Sequence, residues 1–125
     1  MAIDENKRTA VDFFERTFNQ KDPEGAAAAY LGDHYIQHNP RAADGAEGFV
    51  AFINANRERA PQTRVEIKRA VAEGDHVVLH NRFIRPGVPD LATIDIFRLE
   101  QGKIVEHWDV IQEVPEAAAN ANTMF

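Results

Sequence analysis

The sequence predicts an α+β domain, with three N-terminal helices packed on a curved antiparallel sheet. Three observations predict it. Apolar residues recur with the helical period through the first half of the chain and with period two through the second. The helices come first and the strands after, which is how an α+β layer architecture reads along a chain. The 125 residues are enough for one domain, residues 1–125, with a core that needs neither disulfides nor a structural metal.

Each element has a local reason. Val11, Phe14 and Phe18 lie on one helical face, widened by Ala10 and Phe13, and Asp4 and Glu5 place acid at the helix start. Asn19 to Pro23 ends that helix, and Asp22 caps a second one with Pro23 at its first position. Ala26 to Leu31 continue it, and Gly32 closes it. Asp44-Gly45-Ala46-Glu47 has capping-box spacing and opens a third helix with Phe49, Val50, Phe52 and Ile53 on its apolar face, stopped by Pro61.

Four strands follow. Arg64 to Ala72 alternates, Glu73-Gly74-Asp75 is a hairpin turn, and His76 to Ile84 is the return strand. Two prolines bar ladder pairing between Arg85 and Asp90. Leu91 to Glu100 and Lys103 to Val114 flank the Gln101-Gly102 turn, and the tail from Pro115 reads as a last helical turn or a mobile arm. The Leu91 strand carries Ile94 and Ile96 on one face and Phe97 and Leu99 on the other. Both faces therefore need cover. The helices supply one cover, and a second copy of the chain is the economical candidate for the other, a homodimer through the sheet.

The net charge of −6 argues against nucleic acid or an anionic membrane as partner, since both select basic surfaces. The nearest approach to a basic cluster, Arg57 to Arg69, is interrupted by Glu58 and Glu66. Cysteine and serine are both absent, which removes disulfides, thiolate ligands and serine nucleophiles. No apolar run approaches a membrane span, and Met1 to Arg8 lacks the apolar stretch of a signal peptide, so a cytoplasmic protein is expected.

Three stretches put titratable groups where core is expected. In Tyr35-Ile36-Gln37-His38-Asn39-Pro40, Asn-Pro is a turn starter and Tyr35 is a core candidate; alternatively Tyr35, His38 and Asn39 stand at a pocket mouth. Asp95 sits inside an apolar strand on the face of Thr93 and Phe97. Burial there requires pairing or protonation, which makes it either a general base or a structural carboxylate. In Glu106 to Gln112, alternation puts His107, Asp109 and Ile111 on one face and Glu106, Trp108, Val110 and Gln112 on the other. His107 and Asp109 form a candidate same-face pair in which the carboxylate orients the imidazole; the alternative is that one of the two sets faces the dimer contact. His80 is either a pocket base or a core histidine bonded to a neighbour. His34 and His38 are spaced i, i+4 beside Asp33, but no metal-binding signature surrounds them, and no metal or other cofactor is expected.

Tyr-Ile-Gln-His-Asn-Pro at 35–40, Asp-Gly-x-x-Gly-Phe at 44–49, Gly-Asp-His-Val-Val at 74–78, the block from Asp95 to Gln112 and the closing Asn-Thr-Met-Phe together resemble SnoaL-like proteins of the nuclear-transport-factor-2-like superfamily. Within them the chain is most similar to the predicted aldol-condensation-catalysing branch. The resemblance implies a cone with a pocket between helices and sheet, usually in a dimer, and cofactor-independent chemistry on carbonyl compounds. It also implies an acid/base carboxylate four residues after the tryptophan, where this chain has Gln112. Glutamine takes up no proton at neutral pH, so the acid/base role passes to Asp95, Asp109 or a histidine.

The expected function is a lyase or isomerase acting on a small hydrophobic or carbonyl-containing ligand. Asp95 removes a proton, His38 or His107 serves the developing enolate, and Phe83, Phe97 and Trp108 form an apolar wall. The alternatives are a non-catalytic ligand-binding dimer and a dehydratase or epoxide-opening enzyme on the same scaffold.

Overall fold

The computed structural model describes residues 3–125. Helix α1, Ile3–Phe14, runs into a π-helical turn, Glu15–Asn19, in which Gln20 N–H reaches back to the Glu15 carbonyl at 3.0 Å. The wider turn presents the Asn19 amide to the sheet. Its Nδ2 donates to the Val65 carbonyl at 3.0 Å, and its Oδ1 accepts from Val65 N–H at 2.8 Å. Helix α2, Pro23–Tyr30, is capped by the Asp22 carboxylate, which accepts from Gly25 N–H at 3.0 Å. Strand β1, Leu31–Gln37, helix α3, Gly45–Arg59, and strands β2, Arg64–Glu73, β3, His76–Ile84, β4, Leu91–Glu100, and β5, Lys103–Glu113, complete the chain.

The five strands form one sheet in the order β1-β5-β4-β3-β2. β2 to β5 make the expected antiparallel meander, but β1 pairs parallel to β5, so the sheet is mixed and not purely antiparallel. The sequence suggested the end of a helix and a loop where β1 lies. Its signal is erased because Leu31 pairs with Ile104 and Ile36 with Glu106, so five steps on one strand match two on the other and the alternation breaks. Asp44 sits at the start of α3 as expected, but its side chain makes no cap bond there; it accepts from Gln37 N–H at 2.8 Å.

The helices cover one face of the sheet, the inner face. Phe13, Phe14, Phe49 and Ile53 pack there against Val65, Val77, Leu79, Phe83, Phe97 and Leu99. Phe13 and Phe14 each meet the Phe97 ring edge-on, at 5.8 and 5.5 Å between centroids. On the outer face Val71, Ile94 and Val110 are 57%, 38% and 72% exposed. The tail is neither helical nor free. It folds back so that His80 Nε2 donates to the Met124 carbonyl at 3.0 Å, and the Phe125 ring lies over His80 with the Arg82 guanidinium 5.2 Å away. Among the described residues no helix is long and apolar enough to cross a membrane.

Gly48, on the first turn of α3, faces the backbone of the preceding loop. A Cβ there would lie 2.2 Å from the Ala43 carbonyl oxygen. Backbone yields less readily than a side-chain tip, so Gly48→Ala is expected to cost about 1–3 kcal/mol, the range for overpacking. The check is a lower urea midpoint with an unchanged slope; an unchanged midpoint would show that the 43–47 segment gives way freely.

Candidate active site

Strand alternation places Thr93, Asp95 and Phe97 of β4 inward, and cross-strand register brings their partners to them. Asn81 of β3 lies opposite Thr93, Asp109 of β5 opposite Asp95, and His107 opposite Phe97. On the far side of β5, Gln37 of β1 is in register with His107. Six polar side chains from four strands, Asn81, Thr93, Asp95, His107, Asp109 and Gln37, thus meet on the inner face of an otherwise apolar sheet.

Asp95 is only 4% exposed, and a carboxylate there requires donors. Its Oδ2 accepts from Thr93 Oγ1 at 2.7 Å and from Asn81 Nδ2 at 2.9 Å, while its Oδ1 faces His107 Nε2 at 2.8 Å. The His107 ring packs face to face with Phe97 at 4.9 Å, and Tyr35 lies parallel to it at 6.4 Å. Burial, reinforced by the Asp95 charge, pushes the Tyr35 hydroxyl far above its ordinary range, so it remains a neutral phenol. Gln37 Nε2 lies 3.3 Å from that hydroxyl and donates to it.

Asp109 stands at the edge of this cluster. Its Oδ2 accepts from Asn39 Nδ2 at 2.9 Å and lies 4.0 Å from His107 Nε2. Burial pushes its carboxyl above the ordinary range, with the Asp95 charge adding to the rise, while the Asn39 bond and the imidazole oppose it. Asn39 is itself fixed by a turn in which its Oδ1 accepts from Arg41 N–H at 2.9 Å.

The structure brings together Asp95, His107, Asp109, Asn39, Tyr35 and Phe97. It places the other candidates elsewhere. His38 points to the outer face, 2.7 Å from Glu106 Oε2, with its ring stacked on Trp108 at 4.8 Å. The His38 bond, with Arg98 second, holds the Glu106 carboxyl below its usual range. Trp108 is thus on the outer face and walls no site on the inner one, because it alternates with His107. Gln112 is exposed, His80 holds the tail, and Phe83 is buried against Phe14 and Phe18. Asp33 and His34 are exposed on β1.

Gln37 and Asn81 were not singled out from the sequence. Asn81 had a signal: it shares the inward phase of β3 with Val77, Leu79 and Phe83, where an amide must answer another polar group. For Gln37 the only signal was its i, i+2 spacing to Tyr35 and Asn39. Asp95, His107 and Asp109 offer ligand atoms all within 4.8 Å of one another, a set able to hold a cation. His107 Nε2 and Asp95 Oδ1 already satisfy each other, so a cation would have to replace that bond.

A mixed sheet covered on one face by helices makes this an α+β protein, and that covered face holds the buried Asp95–His107 pair. Residues 10–107 match the SnoaL-like domain, and the chain belongs to that family. Its fold is similar to that of a candidate polyketide cyclase from Bacillus cereus, with 23% identity, 86% of this chain and 74% of the other covered, and a TM-score of 0.76. A candidate SnoaL-like polyketide cyclase from Jannaschia shares 23% identity over 89% and 88% of the two chains, with a TM-score of 0.74. A candidate ketosteroid isomerase from Kribbella flavida shares 16% over 94% and 85%, also at 0.74. No curated protein matches the sequence significantly.

The raised Asp109 carboxyl has a stability consequence. The folded state holds this proton more tightly than the unfolded state, so its contribution is complete below the ordinary carboxyl range and is lost as pH rises through the folded value. Asp109→Asn removes the penalty and keeps an acceptor for Asn39. The variant is expected to melt higher than the parent at pH 7, with the difference closing near pH 3; a lower melting temperature at pH 7 would refute this sign.

Proposed function

We propose that the protein is a cofactor-independent lyase or isomerase that enolises a small carbonyl compound on the inner face of the sheet. The observation that carries this reading is the 2.8 Å contact between Asp95 and His107, nine-tenths or more buried and placed beside a second carboxylate. Paired carboxylates in unlike environments divide acid and base roles. Asp95 is held by three donors. Asp109 is held by Asn39 through Oδ2 alone and has a burial-raised affinity for protons, which suits it to the role of base.

In this reading Asp109 takes the proton alpha to the carbonyl. The C–H electron pair becomes the enolate double bond, and charge moves onto the carbonyl oxygen. The Asp95–His107 pair donates the proton it shares to that oxygen, or to the second carbonyl when the enolate carbon adds to it in an aldol step. The apolar rings of Phe97 and Tyr35 lower the local dielectric and strengthen both interactions. Family membership supports a small-molecule substrate, and the polyketide cyclase and ketosteroid isomerase names of the structural relatives agree with carbonyl chemistry.

A second reading is a non-catalytic ligand-binding protein. It is favoured by the fact that Asp95 and both ring nitrogens of His107 find partners within the chain. In either case a second copy packs on the outer face, over Val71, Ile94 and Val110.

Solvent deuterium exchange at the alpha positions of a panel of small ketones separates the readings. The parent protein is expected to accelerate exchange, and Asp109→Asn and Asp95→Asn to lose about 10²–10⁴-fold of it, the usual share of general acid–base catalysis. Exchange no faster than in the variants across the panel would leave only ligand binding. Sedimentation equilibrium should give twice the chain mass; a monomer at micromolar concentration would remove the dimer.

A further inference from the structure

We infer that Gln37 is a positioning residue that fixes which nitrogen of His107 carries a hydrogen and so determines the proton inventory of the Asp95–His107 pair. This deepens the acid–base reading of the site and rests on it for its catalytic meaning, although the geometry is independent of any reaction.

Asn39 N–H is a backbone donor, and it lies 3.0 Å from Gln37 Oε1. That contact fixes the amide orientation, because the flipped amide would set NH₂ against N–H. The opposite end agrees: Gln37 Nε2 faces the Tyr35 hydroxyl at 3.3 Å. Gln37 Oε1 is therefore an acceptor, and it lies 2.8 Å from His107 Nδ1. An acceptor opposite Nδ1 requires a hydrogen on Nδ1. Nε2 is then left to face Asp95 Oδ1 at 2.8 Å.

With Nδ1–H fixed, the Nε2–Oδ1 contact must contain one proton, since two lone pairs at that distance repel. Whether that proton sits nearer nitrogen or oxygen, the pair carries it as a unit. Without Gln37, a neutral ring could turn its single hydrogen to Nε2 and satisfy an ionised Asp95, and the pair would hold one proton fewer. Gln37 thus keeps a transferable proton in the buried site. The titratable groups facing His107 are Tyr35 from β1, Asp95 from β4 and Asp109 from β5.

Gln37 is itself held from outside the cluster. Its N–H donates to Asp44 Oδ1 at 2.8 Å, and the next residue's N–H donates to the His107 carbonyl at 3.0 Å. The displaced cap residue of α3 and the parallel pairing of β1 together deliver one amide oxygen to one ring nitrogen.

The test is nitrogen-15 NMR of the five histidine rings in the intact protein at pH 7, with His107 assigned by its disappearance in His107→Gln. In the parent, Nδ1 of His107 should have the shift of a protonated ring nitrogen. In Gln37→Leu, which removes the acceptor, the ring should change to the neutral form with hydrogen on Nε2 only. In Gln37→Glu, which keeps an acceptor of the same reach, Nδ1 should stay protonated. An unprotonated Nδ1 in the parent or in Gln37→Glu, or an unchanged ring in a folded Gln37→Leu, overturns the inference. These spectra need no turnover. Loss of the acid–base reading in the exchange assay and loss of the Gln37 role are therefore separate results.

Discussion

A carboxylate inside the apolar face of a sheet is the constraint from which much of this structure follows. Asp95 takes the place of what would be an aliphatic side chain between Thr93 and Phe97. An unpartnered charge there would cost several kcal/mol. The protein supplies donors from both neighbouring strands, Asn81 on one side and His107 on the other, along with Thr93 from the same strand. Each donor lies in the same inward phase as Asp95, so one polar position in β4 obliges polar positions in β3 and β5. His107 in turn needs an acceptor for its second nitrogen, and that brings in β1.

The parallel pairing of β1 with β5 has a functional logic in this light. A sheet ending at β5 would leave His107 and Asp109 on an edge strand, where one side of the ring would meet solvent. β1 closes that side, and its last residue and the two that follow act in alternation. Gln37 and Asn39 point inward to His107 and Asp109, while His38 between them points outward to Glu106. A three-residue span thus sets the surroundings of both candidate acid–base residues and ties the outer face to the inner one. The irregular register earlier in β1 is what allows a segment leaving α2 to reach this position.

The two faces of the sheet divide the chemistry. The inner face combines the aromatic cluster around Phe97 with the hydrogen-bonded polar group, and the rings exclude water from the carboxylates. The outer face carries ion pairs such as Arg98 with Glu106, the Trp108 stack and the docked tail. The exposed pairs contribute little stability individually. On the outer face hydrogen bonds from His38 and Arg98 hold Glu106 low, whereas burial shifts Tyr35 and Asp109 upward on the inner face. Carboxyl groups on the two faces of β5 are thus shifted in opposite directions, Glu106 down and Asp109 up.

The sequence by itself determined the helices, the four-strand meander, and the phase that sets Asp95 with Thr93 and Phe97 and His107 with Asp109. These are local properties: periodicity, turn residues and caps act over a few positions. It also pointed to Asp95 as a polar group in an apolar strand. Only the tertiary structure decided that β1 is a strand, that Asp44 serves Gln37 and not its own helix, that His38 and Trp108 face outward, and that Asn81 and Gln37 complete the site. Those outcomes depend on pairing between segments up to 70 residues apart. A hydrogen bond of that span leaves no periodic trace in either segment, because each donor or acceptor reads locally as an ordinary polar residue until its partner is brought opposite it.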